Sequence, residues 1–204
     1  MEDSTRNTEK IRHITDVAQY LFGLHGFEKV TMNEIAEELK ISKAQLYYYF
    51  PDKESLCLAV LEKEKNEFLS KISSLLEEMD KPEKMLKDYS IERLKYFRRF
   101  LNLGRLRQET YSRLKPVFRE SLLKFREMEI VFIKKIIDAA VLSGIFRISD
   151  TESVASVYFD LLRGLGASAL TQKSTMTLEQ DEFDTLLQRT ALFTDIFIKG
   201  LKAL

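Results

Sequence analysis

The sequence is short of the residues on which several kinds of protein depend. It has one cysteine, Cys57, so no internal disulfide can form and a reducing compartment, the cytoplasm, suits it. Its two histidines, His13 and His25, with that one cysteine fall below the ordinary ligand count of a zinc site. A Ser–His or Cys–His catalytic pair is equally poorly supplied, so neither an enzyme nor a cofactor is expected. No apolar run approaches the ~20 residues of a membrane-spanning helix, and the polar stretch 1–10 carries no apolar signal core. Seven glycines and three prolines make about 5% of the chain, against a usual share of roughly 12%. A β-rich or loop-rich fold needs more turn residues than that, so the chain is expected to be all-α.

What is present fits a soluble helical protein. Of 204 residues, 45% are hydrophobic and 31% charged, enough to bury a core and too balanced for intrinsic disorder. The 32 basic and 32 acidic residues cancel, but not evenly along the chain. Residues 84–135 hold 15 basic and 6 acidic side chains, while residues 1–60 hold 7 and 10. The basic block has two readings: a solvated face paired to acidic neighbours, or a surface for an anion or a membrane.

Apolar spacing and punctuation divide the chain into about nine helices. Ile11, Ile14, Ala18, Leu21 and Phe22 step by three and four, which predicts a helix over 7–24, stopped at Gly26 with His25 on the helix dipole. Thr31-Met32-Asn33-Glu34 has the form of a capping box and opens a short helix over 32–39. Ser42-Lys43-Ala44-Gln45 repeats the device and opens another over 43–50. Pro51 ends that helix, and Asp52 is a good N-cap for a long helix over 53–79, in which Cys57 is an apolar filler. Further helices are expected from near Glu83 to Leu103, between Gly104 and Pro116, and over Val117–Leu142. A box at Ser149-Asp150-Thr151-Glu152 predicts a helix to Leu170. A second box at Thr177-Leu178-Glu179-Gln180 predicts one to the C-terminus.

The two short boxed helices in 31–50 are joined only by Lys40-Ile41, the arrangement a helix-turn-helix requires. In the second, Leu46 and Phe50 form an inner face, while Lys43, Gln45 and Tyr48 project elsewhere and can reach DNA. The segments Ala18-Gln19-Tyr20-Leu21-Phe22, Gly26-Phe27 and Val30-Thr31-Met32-Asn33-Glu34-Ile35-Ala36 lead into Ile41-Ser42-Lys43-Ala44-Gln45-Leu46-Tyr47-Tyr48-Tyr49-Phe50-Pro51-Asp52-Lys53-Glu54-Ser55-Leu56. Together they resemble the TetR family of bacterial transcriptional regulators, over about a quarter of the chain. The resemblance implies a recognition helix at 43–49. It places Thr31, Tyr47, Tyr48 and Lys53 at phosphate-contacting positions, and Ser42, Lys43, Ala44 and Gln45 at the groove-facing start of the reading helix. Helix N-termini and hydroxyls suit phosphate. Gln45 can offer donor and acceptor to an adenine edge, and Lys43 a donor to guanine. Tyr49 and Phe50 are expected in the core. Two competing uses stand beside the reading: Tyr47 and Tyr48 as core aromatics, and the Gln45 amide spent on capping Ser42. Lys40 stands where the family usually has glycine, and Glu34, Glu37 and Glu38 have to face away from a duplex.

The expected organisation is a three-helix DNA-binding domain over 7–67, with the helix-turn-helix at 31–50, and a larger C-terminal helical bundle over 68–204. In the bundle, Tyr96, Phe97, Phe100, Phe118, Phe125, Met128 and Phe132 are either packed core or the lining of an apolar effector pocket, with Arg98, Arg99, Arg105 and Arg107 near enough in sequence to bind an acid group. The small residues around Gly164 and Gly166, with Leu165, Ala169, Phe193 and Phe197, suggest a homodimer through a four-helix bundle. A two-fold dimer sets two reading helices on a palindromic operator in double-stranded DNA. The function expected is a homodimeric repressor released by a small, largely apolar effector. The alternative is a DNA-associated protein without an effector, controlled by a protein partner or acting architecturally.

Overall fold

A computed structural model of the chain describes residues 2–76, 81–104, 108–171, 173 and 176–203. Among them there is no strand; eight helices run α1 (Glu2–His25), α2 (Met32–Glu38), α3 (Lys43–Tyr49), α4 (Lys53–Leu75), α5 (Pro82–Gly104), α6 (Gln108–Leu142), α7 (Thr151–Ser168) and α8 (Gln180–Ala203). Helix α1 packs on α2, α2 on α3, and α7 on α8. No helix is long and apolar enough to cross a membrane among the described residues.

Local chemistry sets most of the boundaries. Gly26 takes φ 83° and closes α1. Thr31 and Glu34 make the full capping box of α2. Asp52 accepts a 2.6 Å hydrogen bond from the Ser55 amide and starts α4. Helix α2 ends in a Schellman turn: Ile41 N–H donates to Ala36 and Lys40 N–H to Glu37, both at 3.0 Å, with Lys40 left-handed at φ 54°.

Four expectations need correction. Helix α1 starts at Glu2 rather than near Asn7, because its first turns are polar and carry no apolar period to mark them. Pro116 lies inside α6 instead of separating two pieces, so one helix stands where two were expected. A proline removes one donor from the ladder at a cost of ~3 kcal/mol. Beyond it α6 buries Phe118, Phe125, Phe132, Ile133, Ile136, Ile137 and Ala140, each large side chain worth about 2–3 kcal/mol, which outweighs the break. The N-cap of α7 is Asp150, accepting from Ser153 N–H at 3.0 Å, not Ser149. Helix α8 begins three residues after Thr177; there the Glu182 carboxylate accepts from Glu179 N–H at 2.8 Å. The expected end of α4 at Met79, and Arg105 and Arg107, lie outside the described residues.

The chain divides into two compact units. The first comprises Met1–Asn66, Arg99–Pro116 and Ser174–Thr177; the second comprises Glu67–Arg98, Val117–Lys173 and Leu178–Leu204. The first buries Ile14, Ala18, Phe22, Phe27, Val30, Ile35, Leu46, Leu56 and Val60. There Glu64, itself buried, accepts from Gln19 and from Arg99 Nε at 3.0 Å.

The second unit has an aromatic core in which Phe68, Tyr89, Tyr96, Phe125, Phe132 and Tyr158 are all buried. Much of the basic segment is paired there, Lys87 with Asp195 at 2.7 Å and Arg126 with Asp160 at 3.3 Å. The surface among these pairs contributes little to stability; Arg93 with the fully buried Glu129, at 2.6 Å, is the exception.

Candidate nucleic-acid interface

Helix α3 is gripped on one side and bare on the other. Leu46 is fully buried and Phe50 nearly so, while Ser42, Lys43, Ala44, Gln45, Tyr47 and Tyr48 are exposed. Tyr48, at 81% exposure, is the more open of the two exposed tyrosines of α3. The reading of Tyr47 and Tyr48 as core aromatics is thereby overturned. Tyr49 is half-buried and meets the Tyr48 ring edge-on at 5.1 Å, so of the two expected core residues Phe50 alone is buried.

Ser42 Oγ accepts from Gln45 N–H at 3.2 Å, capping α3. The Gln45 side chain does not return the bond, and its amide has no partner among the described residues; the competing capping use falls away. Lys43 holds its ammonium 5.7 Å from the Tyr47 ring centroid. The exposed side of α3 thus presents one amide, one ammonium and two phenols to solvent, a set able to contact base edges and phosphates.

Thr31 sits at the exposed start of α2. Its N–H donates to Glu34 at 2.7 Å and its hydroxyl to the same carboxylate oxygen at 2.8 Å. These bonds hold the Glu34 carboxyl below its ordinary range and spend its charge on the cap rather than against a polyanion. Glu37 and Glu38 are exposed on the same helix.

Lys53 does something the sequence did not suggest. Its ammonium donates to the Phe27 carbonyl at 2.8 Å, Val30 at 2.9 Å and Glu28 at 3.5 Å. It also lies 4.4 Å from the Phe27 ring centroid. It braces the connection between α1 and α2, and so the position of Thr31, from the start of α4.

Sequence reasoning missed a second source of positive charge. Arg6, Glu9, Lys10, His13 and Ile14 of α1 line one crevice with Leu39, Ile41, Gln45 and Tyr49. Arg6, Lys10 and His13 step by four and three, one face of a helix. That period was visible, but a count over 1–60, where acids outnumber bases, concealed it.

The residues proposed for the bundle are placed less uniformly. Tyr96 and Phe125 are core, with ring centroids 4.9 Å and 5.7 Å from Phe68 and 5.3 Å from each other. Phe132 packs on Tyr89 at 5.5 Å and Phe118 is buried. Tyr96, Phe125 and Phe132 are packed interior rather than pocket wall, because rings from other helices fill the space beside them. Met128 is half exposed, and Phe100 is half-buried in the first unit. Phe97 does line a crevice, with Ser90, Arg93, Leu94, Leu162, Arg163 and Gly166.

At Gly166 a Cβ would lie 3.1 Å from the Phe97 ring, so its smallness serves packing within the unit and not a partner helix. Leu165 and Ala169 are half-buried, and Phe193 and Phe197 turn inward onto Tyr158 at 5.6 Å and 4.6 Å. The apolar residues left open on these helices are Val157 and Leu161 of α7 and Leu192 and Ile196 of α8, spaced four apart on each.

Comparison with known proteins agrees with this geometry. Residues 14–60 match the family model for bacterial regulatory proteins of the tetR family. An HTH-type transcriptional regulator of Staphylococcus aureus is 30% identical over 94 residues, covering 45% of this chain and 49% of that protein. An uncharacterized HTH-type transcriptional regulator of Bacillus subtilis is 36% identical over 74 residues, 36% of this chain and 25% of that one. The match thus spans about half or less of these curated relatives. Over almost the whole chain, the crystal structure of a transcriptional regulator from Cytophaga hutchinsonii superposes with TM-score 0.88 at 31% identity, covering 95% of this chain and 98% of that one. A TetR transcription regulator from Haloarcula marismortui shares the fold at TM-score 0.73 and 22% identity, covering 93% and 98%.

Proposed function

This chain belongs to the TetR family of bacterial regulatory proteins, DNA-binding transcriptional regulators, and on that premise we propose that it is a homodimeric repressor of a palindromic operator, released by a small effector. The observation that carries the reading is α3: anchored by a fully buried Leu46, it offers the exposed Lys43, Tyr47 and Tyr48 and a Gln45 amide with no partner among the described residues. Thr31 at the start of α2 and Ser42 and Ala44 at the start of α3 are the expected backbone and groove neighbours. Arg6 and Lys10 add cations beside the reading helix. Lys53 acts by bracing rather than by reaching outward.

Dimerisation through α7 and α8 is supported by the open apolar pairs Val157 with Leu161 and Leu192 with Ile196. Gly164 and Gly200 add to it, since a Cβ at either would meet nothing within 4 Å and leaves room for a close helix. These four side chains are already about half covered, so burying the rest between two copies contributes on the order of 1 kcal/mol each. The effector acts by binding one of two conformations more tightly than the other. Helix α4, like α5 and α6, contributes residues to both units and is one covalent path for the shift.

The test is footprinting on the DNA flanking the gene, followed by Gln45→Ala and Tyr47→Ala. The wild type should protect a two-fold site. Gln45→Ala should relax preference at particular base pairs by about 1–3 kcal/mol, and Tyr47→Ala should weaken binding to all sequences. Wild-type affinity and specificity in both variants would place the reading surface elsewhere.

A further inference from the structure

We infer that the crevice between α5 and α7 in the second unit seats the carboxylate of a small monoanionic effector whose remaining body is apolar. This assignment rests on the effector-released reading above and specifies its chemistry. Ser90, Arg93, Leu94 and Phe97 line the crevice from α5, and Leu162, Arg163 and Gly166 from α7. Two arginines and no acid are present, and the other walls are chiefly apolar.

Arg93 is prepared for an anion. Its Nε lies 2.6 Å from Glu129 Oε1 as an ion pair, and its guanidinium lies 5.7, 6.0 and 5.8 Å from the ring centroids of Tyr96, Phe125 and Phe159. The Tyr89 hydroxyl donates to the same Oε1 at 2.8 Å, while Glu129 Oε2 is buried with no hydrogen-bond partner among the described residues. So held, Arg93 has one edge occupied. Its terminal amino groups make no hydrogen bond among the described residues, and its side chain keeps 15% exposure. An arginine whose position is fixed in advance loses little freedom when it binds a carboxylate with its planar fork.

Arg163 is exposed at the rim, with no ion-pair partner among the described residues. A purely structural buried pair accounts for Arg93 and Glu129 but not for a second, unpaired arginine on the same crevice. The only charged groups lining the crevice are these two arginines, which favours an anion, and the planar fork of Arg93 matches one carboxylate.

Size points the same way. The crevice has a volume of about 40 Å³, and about 340 Å³ of empty space when the open solvent at its mouth is counted. The inner volume suits an acid head and no more. Leu94, Phe97 and Leu162 then flank an apolar body. Gly166 makes the floor possible, since any Cβ there would press on the Phe97 ring.

The experiment is calorimetric titration of the full chain with octanoate and phenylacetate, with octanamide and phenylacetamide as uncharged counterparts, and with inorganic phosphate. Gel shifts on a footprinted DNA fragment run in parallel. At least one carboxylate should bind about tenfold or more tightly than its amide, and phosphate should not compete. Arg163→Gln should weaken the carboxylate several-fold, with the thermal melt unchanged because that residue is exposed and unpaired. Arg93→Met should abolish binding; a variant that fails to fold leaves Arg163→Gln as the deciding one. Equal binding of acid and amide, binding of phosphate alone, wild-type affinity in Arg163→Gln, or no binding by either acid overturns the assignment. Loss of DNA binding by the unliganded wild type would instead count against the repressor reading, and the two failures are read from separate titrations.

Discussion

The helix caps of the reading head and the buried network of the aromatic unit satisfy their polar groups at different ranges along the chain. In the head, Thr31 bonds Glu34, Ser42 bonds Gln45 and Asp52 bonds Ser55, each three residues apart. In the second unit Tyr89 reaches Glu129 across 40 residues, Tyr158 reaches Thr194 across 36, and Thr194 reaches Ser90 across 104. Local bonds form as soon as a turn of helix forms, and leave the outward side chains free. Long-range bonds exist only once the whole unit has packed, and then fix the interior. The head can therefore vary its exposed tip at little cost to folding, whereas the second unit cannot lose one member of its buried network cheaply.

The largest effect expected from this contrast is at Glu129. Glu129→Ala would leave the Arg93 guanidinium without its buried counter-charge and the Tyr89 hydroxyl without its acceptor. Removing one partner of a buried ion pair costs about 3–5 kcal/mol, a large share of the stability of an ordinary domain. Urea denaturation should show that loss, whereas Gln45→Ala, at an exposed and unpartnered side chain, should stay within about 0.5 kcal/mol. Comparable losses in the two variants would erase the distinction between the regions.

Lys53 departs from the local pattern of these caps, because its ammonium ties carbonyls 23 to 26 residues earlier in the chain, as Gln19 ties Glu64 across 45. Lys53→Met keeps the stem and deletes the donors. Hydrogen bonds from a charged group are worth about 1.5–3 kcal/mol, and partial exposure reduces this to a net loss of about 1–2 kcal/mol. Faster amide exchange should be confined to residues 26–31, and DNA binding should weaken through Thr31. If DNA affinity falls while stability and exchange stay as in the wild type, Lys53 serves a phosphate directly and the brace is incidental.

The same difference in range governs what could be read from the amino acids alone. Caps, turns and the buried Leu46 were legible because their determinants lie within four residues of one another. The roles of Tyr96 and Phe125 were not, because core and pocket wall differ only in whether another ring, here Phe68, occupies the space beside them. Gly166 was mistaken for a partner's seat because nothing in its neighbourhood along the chain announces Phe97. Glu129 and Arg93 drew no attention within a crowded basic segment, and Lys53 was legible as a cation but not as a brace. Pro116 misled in the opposite direction: its local signal was real, and packing along the rest of α6 overrode it.

The smallest effect tests whether a local rule has been set aside for function. Helices α2 and α6 end in the same Schellman turn. Ile41 donates to Ala36 at 3.0 Å as Ile145 donates to Ala140 at 2.9 Å, and Lys40 donates to Glu37 as Gly144 donates to Val141, both at 3.0 Å. Helix α6 uses glycine at the left-handed position and α2 uses a lysine with φ 54°. A side chain there costs about 1 kcal/mol, partly offset because glycine is the freer residue when unfolded, so Lys40→Gly should stabilise the protein by only about 0.5 kcal/mol. Lys40 is exposed in the turn of the helix-turn-helix, and its ammonium has no partner among the described residues. If it meets a phosphate, Lys40→Gly should weaken binding to all sequences alike and reduce the slope of log affinity against log salt by about one. A gain in stability with a shallower salt slope means that the lysine is kept for its charge; a gain with an unchanged slope means that it is an unremedied strain.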